Sequence, residues 1–366
     1  MPAPAPDPAA PPLGALRERL RALPKTELHL HALGALRPST VVDLARAKGS
    51  PILAVAERGA AQGYAWENLS TFVEFFIGLF GLVVTPADFE RVTWEILEDA
   101  AAQGVTYLEL RVTPTSHTSR GATVEGMWSG LEAARKAAER TLGVTARWIV
   151  DFPRSLPVSV AEEACGVAIA TKDRGTVALD ISGDERAVAA DPRFEPVFAR
   201  ARRAGLPCVA HAGEGAGPES VAGALDLYRA VRIGHGTRSV EDAALVRRIA
   251  SLGVPVEVCP TSNEALGVVR SVAAHPVREL LRAGVTVVVS SDDPALFGTD
   301  LVREYERLHL ETGVPLDALG RIAAAGFDHA LLPAAERRER FAAPRAAALA
   351  WAADASAPIR RPEGAR

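Results

Sequence analysis

Eight short apolar runs, each followed by a stretch with helical spacing, constrain the fold of this 366-residue chain more than any other feature. Most of the runs contain β-branched or aromatic side chains, as expected for buried strands. The runs occupy residues 27–31, 105–112, 147–152, 177–181, 208–211, 232–235, 256–259 and 286–290. Strands that alternate with helices form parallel sheets, because a parallel neighbour requires a long crossover connection.

Eight strand–helix units predict an α/β fold with a single (β/α)₈ TIM-type barrel. A doubly wound open sheet has the same alternation and is the competing architecture. Polar, chemically capable residues stand where nearly every run ends, among them His, Asp, Glu and Asn. In barrels, catalytic groups gather at the carboxyl ends of the strands. This distribution favours the barrel and predicts where its site lies.

The domain organisation follows from composition along the chain. Residues 1–12 and 353–366 are rich in Pro, Ala and charge, so both are predicted to be disordered tails. No Gly/Ser linker or fixed-period repeat interrupts residues 13–352, which are predicted to form one domain. Extra helices are expected after the first strand, and one of them lies within residues 68–84. Its apolar face is predicted from i, i+3, i+4 and i+7 spacing at Leu69, Phe72, Val73 and Phe76.

Charge and cysteine content exclude several classes of protein. The net charge is −4, so no basic surface is expected to track nucleic acid. Three cysteines without a C-x-x-C spacing exclude a disulfide framework and a Cys₄ zinc site. The first 12 residues lack a basic region and an apolar core, and no 18-residue apolar run occurs. We therefore expect a cytoplasmic protein that acts on a small molecule, without membrane or protein partners.

Two histidine-containing pieces have the spacing of metal ligands. His29 and His31 are two apart on a strand, so both imidazoles face the same side. His211 ends another strand, and Gly213 allows a close turn that brings Glu214 back over the strand end. These pieces could supply three imidazole ligands and one general acid or base.

The last strand ends in two adjacent carboxylates, Asp292 and Asp293. Neighbouring residues that leave a strand point to opposite sides, so one can bind a metal while the other faces a substrate. Three histidines and one aspartate from the first, fifth and eighth strands could surround one ion with a position open for water. This donor set is suited to catalytic zinc.

At this point the chain resembles the adenosine deaminase family of the amidohydrolase superfamily, over about residues 17–350. The similarity is carried by six motifs in the family's order: LPKTELHLH (23–31), ISGDE (181–185), HAGE (211–214), IGHG (233–236), CPTSN (259–263) and SSDDP (290–294). The resemblance implies hydrolytic removal of the C6 amino group of a purine nucleoside. It also implies one zinc ion per chain, held by His29, His31, His211 and Asp292.

The resemblance also assigns the residues that act on the substrate. Glu214 would protonate the purine ring at N1, and His235 would hold the attacking water, whose proton His235 or Asp292 can take. Asp293 would hydrogen-bond N7, and the backbone N–H of Gly183 would donate to N3. In the family a helix after the first strand covers the nucleoside, so Phe72 and Phe76 are expected to line the pocket. The other histidines, His275, His309 and His329, are expected at the surface or at helix ends.

One position departs from the family pattern. Where the family has an acid that accepts a hydrogen bond from the ribose 5′-hydroxyl, this chain has Leu33. A buried hydroxyl without a partner costs about 1–3 kcal/mol. The substitution therefore indicates a nucleoside with a modified 5′ end.

Aminodeoxyfutalosine, an intermediate of a bacterial menaquinone route with a 5′-linked benzoate, fits this description. Arg37, Arg111 and Arg154 are candidates to meet that benzoate. The alternatives are 5′-methylthioadenosine, 5′-deoxyadenosine, adenosine and adenine. A non-catalytic barrel that only binds its ligand is disfavoured, because every chemically active position is present.

Overall fold

The computed structural model describes residues 13–66, 69–186 and 189–356. Each predicted apolar run coincides with one strand to within two residues at either end. The strands are β1 (Lys25–His31), β2 (Val105–Val112), β3 (Thr145–Pro153), β4 (Thr176–Ser182), β5 (Val209–Ala212), β6 (Arg232–His235), β7 (Val256–Val258) and β8 (Val287–Val289).

Helices follow the strands and also fill the long connection from β1 to β2. They are α1 (Leu13–Ala22), α2 (Pro38–Ala47), α3 (Leu53–Gln62), α4 (Leu69–Leu79), α5 (Pro86–Ala102), α6 (Pro114–Thr118), α7 (Val124–Thr141), α8 (Val158–Ala170), α9 (Glu195–Arg203), α10 (Pro218–Gly223), α11 (Ala243–Leu252), α12 (Pro260–Ala265), α13 (Val277–Arg282), α14 (Pro294–Phe297), α15 (Leu301–Thr312), α16 (Leu316–His329) and α17 (Ala334–Ser356). The extra helices expected after the first strand are α2 to α5.

The boundary predicted at residue 353 is wrong, because α17 continues to Ser356. Alanine is the best helix former, and this segment (WAADAS) continues an Ala-rich helix without a break. The predicted tails at residues 1–12 and 357–366 lie outside the described residues.

The strands form two parallel four-stranded sheets, ordered β1-β2-β3-β4 and β5-β6-β7-β8. A doubly wound sheet would instead show a reversal of strand order at a switch point. The strands are buried along almost their whole length, β7 and β8 completely. Burial on both faces is typical of a parallel sheet covered by helices.

Two isolated bridges link the sheets to each other. Leu30 on β1 pairs with Asp292 after β8, and Leu179 on β4 pairs with Cys208 before β5. At the first seam, Asp292 N donates to the carbonyl oxygen of His29 at 3.0 Å. The carboxyl ends of β1 and β8 therefore lie next to each other.

Local sequence signals explain how the helices are placed on the sheets. α5 begins with Pro86 after Thr85, whose hydroxyl accepts from Asp88 N while the Asp88 carboxylate accepts from Thr85 N. This reciprocal capping box satisfies two backbone donors that would otherwise lack partners. Among the described residues, no helix combines the length and apolarity needed to cross a membrane.

The close packing of α5 on α7 depends on Gly130. A Cβ at this position would lie 2.3 Å from Pro86 O and 2.8 Å from Glu90 N, which are backbone atoms. Gly130→Ala should therefore lower the free energy of unfolding by about 1–3 kcal/mol, the usual cost of overpacking. Gly14, also helical, has nothing within 4 Å, so Gly14→Ala is the control and should be neutral or slightly stabilising. Equal urea-unfolding free energies for the two variants would contradict this account.

Candidate active site

The predicted metal-binding side chains meet where the strands end. His29 and His31 lie on β1, His211 on β5 and His235 on β6, and Asp292 follows β8. His29, His211, His235 and Asp292 are buried, and each offers one ligand atom within 4.8 Å of the others. The fold thus brings together side chains that are far apart in the sequence.

His31 approaches the same point as these four residues. Its Nε2 lies 3.1 Å from His211 Nε2 and 3.4 Å from Asp292 Oδ1. His29 Nε2 is 3.3 Å from the same aspartate oxygen. The compact group of four includes His235, whereas the predicted ligand set has His31 in its place. The structure therefore brings four imidazoles and one carboxylate together, one imidazole more than a four-ligand site requires.

Two buried carboxylates orient the imidazoles. His29 Nδ1 lies 2.8 Å from Glu257 Oε2, and His211 Nδ1 lies 3.2 Å from Asp180 Oδ2. A neutral imidazole that donates through Nδ1 has its lone pair on Nε2. His29 Nε2 is buried and has no hydrogen-bond partner. An unpaired nitrogen aimed into a cluster of imidazoles and one carboxylate fits a divalent cation such as zinc.

Buried arginines keep these two carboxylates ionised. Arg111 Nε lies 2.7 Å from Asp180 Oδ2, and Arg111 Nη2 lies 2.8 Å from Glu257 Oε2. Burial alone would raise the pKa of Asp180, but His211 and Arg111 hold it well below its usual range. Burial opposes ionisation of Glu257 too, yet Arg232 and Arg111 hold its pKa far below its usual range. Both groups therefore accept hydrogen bonds from the histidines.

Sequence analysis missed this supporting network. The sequence feature that could have revealed it is a charged residue inside an apolar strand, such as Glu257 between two valines or Arg111 near the end of β2. The expectation that Arg37, Arg111 or Arg154 meets a benzoate finds no support. Arg111 is fully buried in the network, and Arg37 pairs with acidic residues on α5. Arg154 donates to three backbone carbonyl oxygens.

Glu214 lies beside the cluster, and the pKa of its carboxyl is raised. Its Oε1 lies 3.6 Å from His235 Nε2. Burial, reinforced by the nearby charges of Asp292 and Glu185, raises the pKa of Glu214 to about 8. Glu185 also fixes this loop, because its carboxylate accepts hydrogen bonds from the backbone N–H groups of residues 213–216. Glu185 is another residue to which the sequence analysis gave no role.

Asp292 and Asp293 face different surroundings, as the sequence predicts. Asp292 has a left-handed backbone (φ 64°) and accepts a hydrogen bond from Ser262 Oγ at 2.6 Å. Asp293 Oδ1 is buried without a partner. Burial and the charges of Asp292 and Glu214 raise the pKa of Asp293 well above its usual range. Gly34 makes room for this carboxyl, since a Cβ there would lie 1.7 Å from Asp293 Oδ1.

The remaining predicted binding residues lie around this centre. Gly183 follows β4 with φ 89° and is exposed. Leu33 is buried, with 4% of its surface exposed. It is next in sequence to Gly34, the residue that makes room for the Asp293 carboxyl. An apolar side chain therefore occupies this corner.

α4 packs against the segment that follows β8. The ring of Phe72 stacks on that of Phe297 at 5.4 Å, and Trp66 Nε1 donates to Leu296 O. Phe76 is half-buried and packs 5.8 Å from Phe72. The predicted face is wrong at Val73, which is 41% exposed. Phe75 is buried in its place, because its ring packs against the rings of Tyr64 and Trp66.

His275 also departs from expectation. It is 4% exposed and hydrogen-bonds to the Asn263 side chain. His309 and His329 lie in the last turns of α15 and α16, as expected.

Comparison with known proteins agrees with this geometry. A family model described as adenosine deaminase matches residues 24–342. An aminodeoxyfutalosine deaminase of Streptomyces avermitilis is 41% identical over 294 residues, which cover 79% of this chain and 81% of that protein. An adenine deaminase of Bordetella parapertussis is 38% identical over 310 residues, covering 84% and 97% of the two chains.

Solved structures give the same result. The adenine deaminase from Arthrobacter aurescens is 31% identical, with a TM-score of 0.82, and the match covers 91% of this chain and 99% of that one. An amidohydrolase from Burkholderia ambifaria with bound Zn has a TM-score of 0.86 at 28% identity, and the match covers 96% and 97% of the chains. With the family model matching most of its length, this chain belongs to the adenosine deaminase family.

Proposed function

We propose that this protein, a deaminase by its family membership, hydrolyses the exocyclic amino group of a 6-aminopurine and releases ammonia. The observation that carries the proposal is the position of the Glu214 carboxyl, whose Oε1 lies 3.6 Å from His235 Nε2 beside the cluster of imidazoles, where burial raises its pKa to about 8. A proton donor next to a metal-binding cluster is what hydrolysis of a cyclic amidine requires.

The residues proposed to hold one zinc ion are His29, His31, His211 and Asp292. The 3.1 Å approach of His31 Nε2 to His211 Nε2 supports this set, because two ring nitrogens so close require a cation or proton between them. Bound zinc would lower the pKa of water toward about 7 and so supply the nucleophile. The zinc in the Burkholderia structure supports this choice of metal.

The proposed roles of the other side chains follow from whether each can donate or accept a proton. Glu214 donates its proton to purine N1 as water adds to C6, and Asp292 accepts the proton from the water. His235 hydrogen-bonds the attacking oxygen. Asp293, kept neutral by burial, can donate to N7, which only accepts. The Gly183 N–H is assigned to N3. Loss of ammonia then restores the aromatic ring.

The substrate proposed is a nucleoside whose 5′ end is modified, with aminodeoxyfutalosine favoured. The buried apolar side chain of Leu33 and the similarity to the Streptomyces aminodeoxyfutalosine deaminase support this choice. Adenine is the second candidate, because a free base has no 5′-hydroxyl to satisfy and adenine deaminases are also similar to this chain. The alternatives are 5′-methylthioadenosine, 5′-deoxyadenosine and adenosine.

The scaffold proposed for this site is one closed (β/α)₈ barrel. The consecutive strand order within each sheet and the two bridges between the sheets support closure. A closed barrel would place all carboxyl strand ends around one mouth, with α4 against the segment after β8. We propose that α4, through Phe72 and Phe76, lines the pocket over the purine.

One divalent ion per chain is expected in the purified protein. Removing it with a chelator should abolish deamination, and one equivalent of zinc should restore it. Because only the folded state has the assembled site, zinc at 100 times its Kd should stabilise the fold by about 2.7 kcal/mol. Elemental analysis and thermal unfolding test this expectation. Two tightly held ions, or full turnover without metal, would contradict it.

Glu214→Gln should lose about 100- to 10,000-fold in kcat, because an amide of the same shape cannot deliver a proton to N1. Zinc content should stay that of the parent. The matched control is Glu219→Gln, five residues along the chain, where the exposed side chain accepts from Gly217 N and an amide oxygen can do the same. The proposal fails if Glu214→Gln retains normal zinc and more than about a tenth of the parent rate.

Leu33→Asp should shift specificity toward adenosine. A carboxylate that accepts the 5′-hydroxyl is worth about 1.5–3 kcal/mol, or roughly 10- to 150-fold in the ratio of kcat/KM values for adenosine and aminodeoxyfutalosine. Leu33→Ala removes the side chain without adding an acceptor and is the control. If the parent already prefers adenosine, or the ratio is the same in all three proteins, Leu33 does not determine specificity.

A further inference from the structure

The two ring nitrogens of His235 have different neighbours. Nε2 faces Glu214 Oε1, and Nδ1 lies 3.1 Å from Asn263 Nδ2. A neutral imidazole carries one N–H, on Nδ1 or on Nε2, and a ring nitrogen that accepts a hydrogen bond carries none. If that hydrogen is on Nδ1, Nε2 has a lone pair that can bind a metal. If it is on Nε2, that nitrogen can only donate.

The orientation of the Asn263 side-chain amide determines which nitrogen of His235 carries the hydrogen. Asn263 follows β7 in the first turn of α12 and is completely buried. Thr237 Oγ1 lies 2.8 Å from Asn263 Oδ1, and His275 Nε2 lies 3.3 Å from the same oxygen. An amide oxygen accepts two hydrogen bonds, whereas the amide nitrogen only donates. The orientation of the amide is therefore fixed if His275 Nε2 carries a hydrogen.

A backbone amide fixes the tautomer of His275. Val277 N donates to His275 Nδ1 at 3.2 Å, so Nδ1 is the acceptor. Burial lowers the pKa of His275 to about 4, which leaves a neutral ring at pH 7. Its one hydrogen is then on Nε2 and is donated to Asn263 Oδ1. The amide nitrogen of Asn263 consequently faces His235 Nδ1 and donates to it.

We propose that Asn263 and His275 are positioning residues that fix His235 as the Nε2–H tautomer, so that His235 offers a hydrogen-bond donor at the reaction centre. The role of this donor toward the attacking oxygen rests on the proposed function; the tautomer itself does not. A protonated Nε2 cannot ligate a metal, so the fourth ligand is His31. It also cannot accept the proton of the water, which leaves that role to Asp292.

The tautomer is measurable in the zinc-loaded full-length protein labelled with ¹⁵N-histidine. Two-bond ¹H–¹⁵N correlations distinguish Nε2–H from Nδ1–H, and the signal of His235 is identified by its loss in His235→Gln. The expected pattern is Nε2–H. A hydrogen on Nδ1, or zinc bound to Nε2, would overturn the proposal.

Asn263→Asp reverses the polarity at His235 while keeping the shape of the side chain. The carboxylate still accepts from Thr237 and His275, but it must receive the hydrogen of His235 at Nδ1. We expect the NMR pattern to change accordingly and kcat to fall about 100- to 1,000-fold, as when one transition-state donor is removed. KM should change by less than about threefold, since the ground state is little affected. An unchanged NMR pattern or an unchanged kcat would overturn the proposal.

Because a new buried carboxylate can prevent folding, a pair of variants at His275 provides an independent test. His275→Gln keeps an N–H near the Nε2 position, whereas His275→Leu removes it. Glutamine should rescue the Nε2–H signal of His235 and most of kcat, and leucine should lose both. Equal values for the two variants would overturn the proposal. Failure of the proposed function is distinguishable, because the parent would then release no ammonia from any 6-aminopurine while the NMR result still stands.

Discussion

The contact by which Arg111 bridges Asp180 and Glu257 is the interaction on which the site depends. Without the guanidinium, Asp180 would lose its arginine partner and Glu257 would keep only Arg232, so the pKa of each buried carboxyl would rise. The contacts that turn Nε2 of His29 and His211 inward would then weaken. Removing one partner of a buried ion pair is also strongly destabilising. The charges that orient the ligands are therefore part of the core, and they tie β1, β2, β4, β5 and β7 together.

The carboxyl groups of the site have pKa values shifted in opposite directions. Arginine partners hold the pKa values of Asp180 and Glu257 below their usual range, whereas burial and the charge of Asp292 raise the pKa values of Glu214 and Asp293. The proposed function uses this separation: Glu214 and Asp293 would donate to purine nitrogens, whereas Asp180 and Glu257 orient His211 and His29.

The strands and most of the clustered side chains could be predicted from sequence, because both leave local patterns. Apolar runs mark the strands, and the spacing of His29 and His31 predicts that both face one side of β1, but the compact group of four contains His235 where the sequence predicts His31. Glu257 and Arg111 could not be assigned, because a charge in an apolar strand acquires its meaning from a partner on another strand. The same holds for buried His275, which contacts Asn263 from the preceding helix. Val73 has the spacing of an apolar helical face, but in the folded chain Phe75 is buried and Val73 is exposed.

Ammonia release from a panel of 6-aminopurines tests the central claim most directly. The panel comprises adenine, adenosine, 5′-methylthioadenosine, 5′-deoxyadenosine and aminodeoxyfutalosine, each incubated with the zinc-loaded protein. The account predicts ammonia in stoichiometric amounts with the 6-oxopurine product, and the highest kcat/KM for a substrate without a free 5′-hydroxyl. No ammonia from any of the five compounds, with zinc bound and the protein folded, would contradict it.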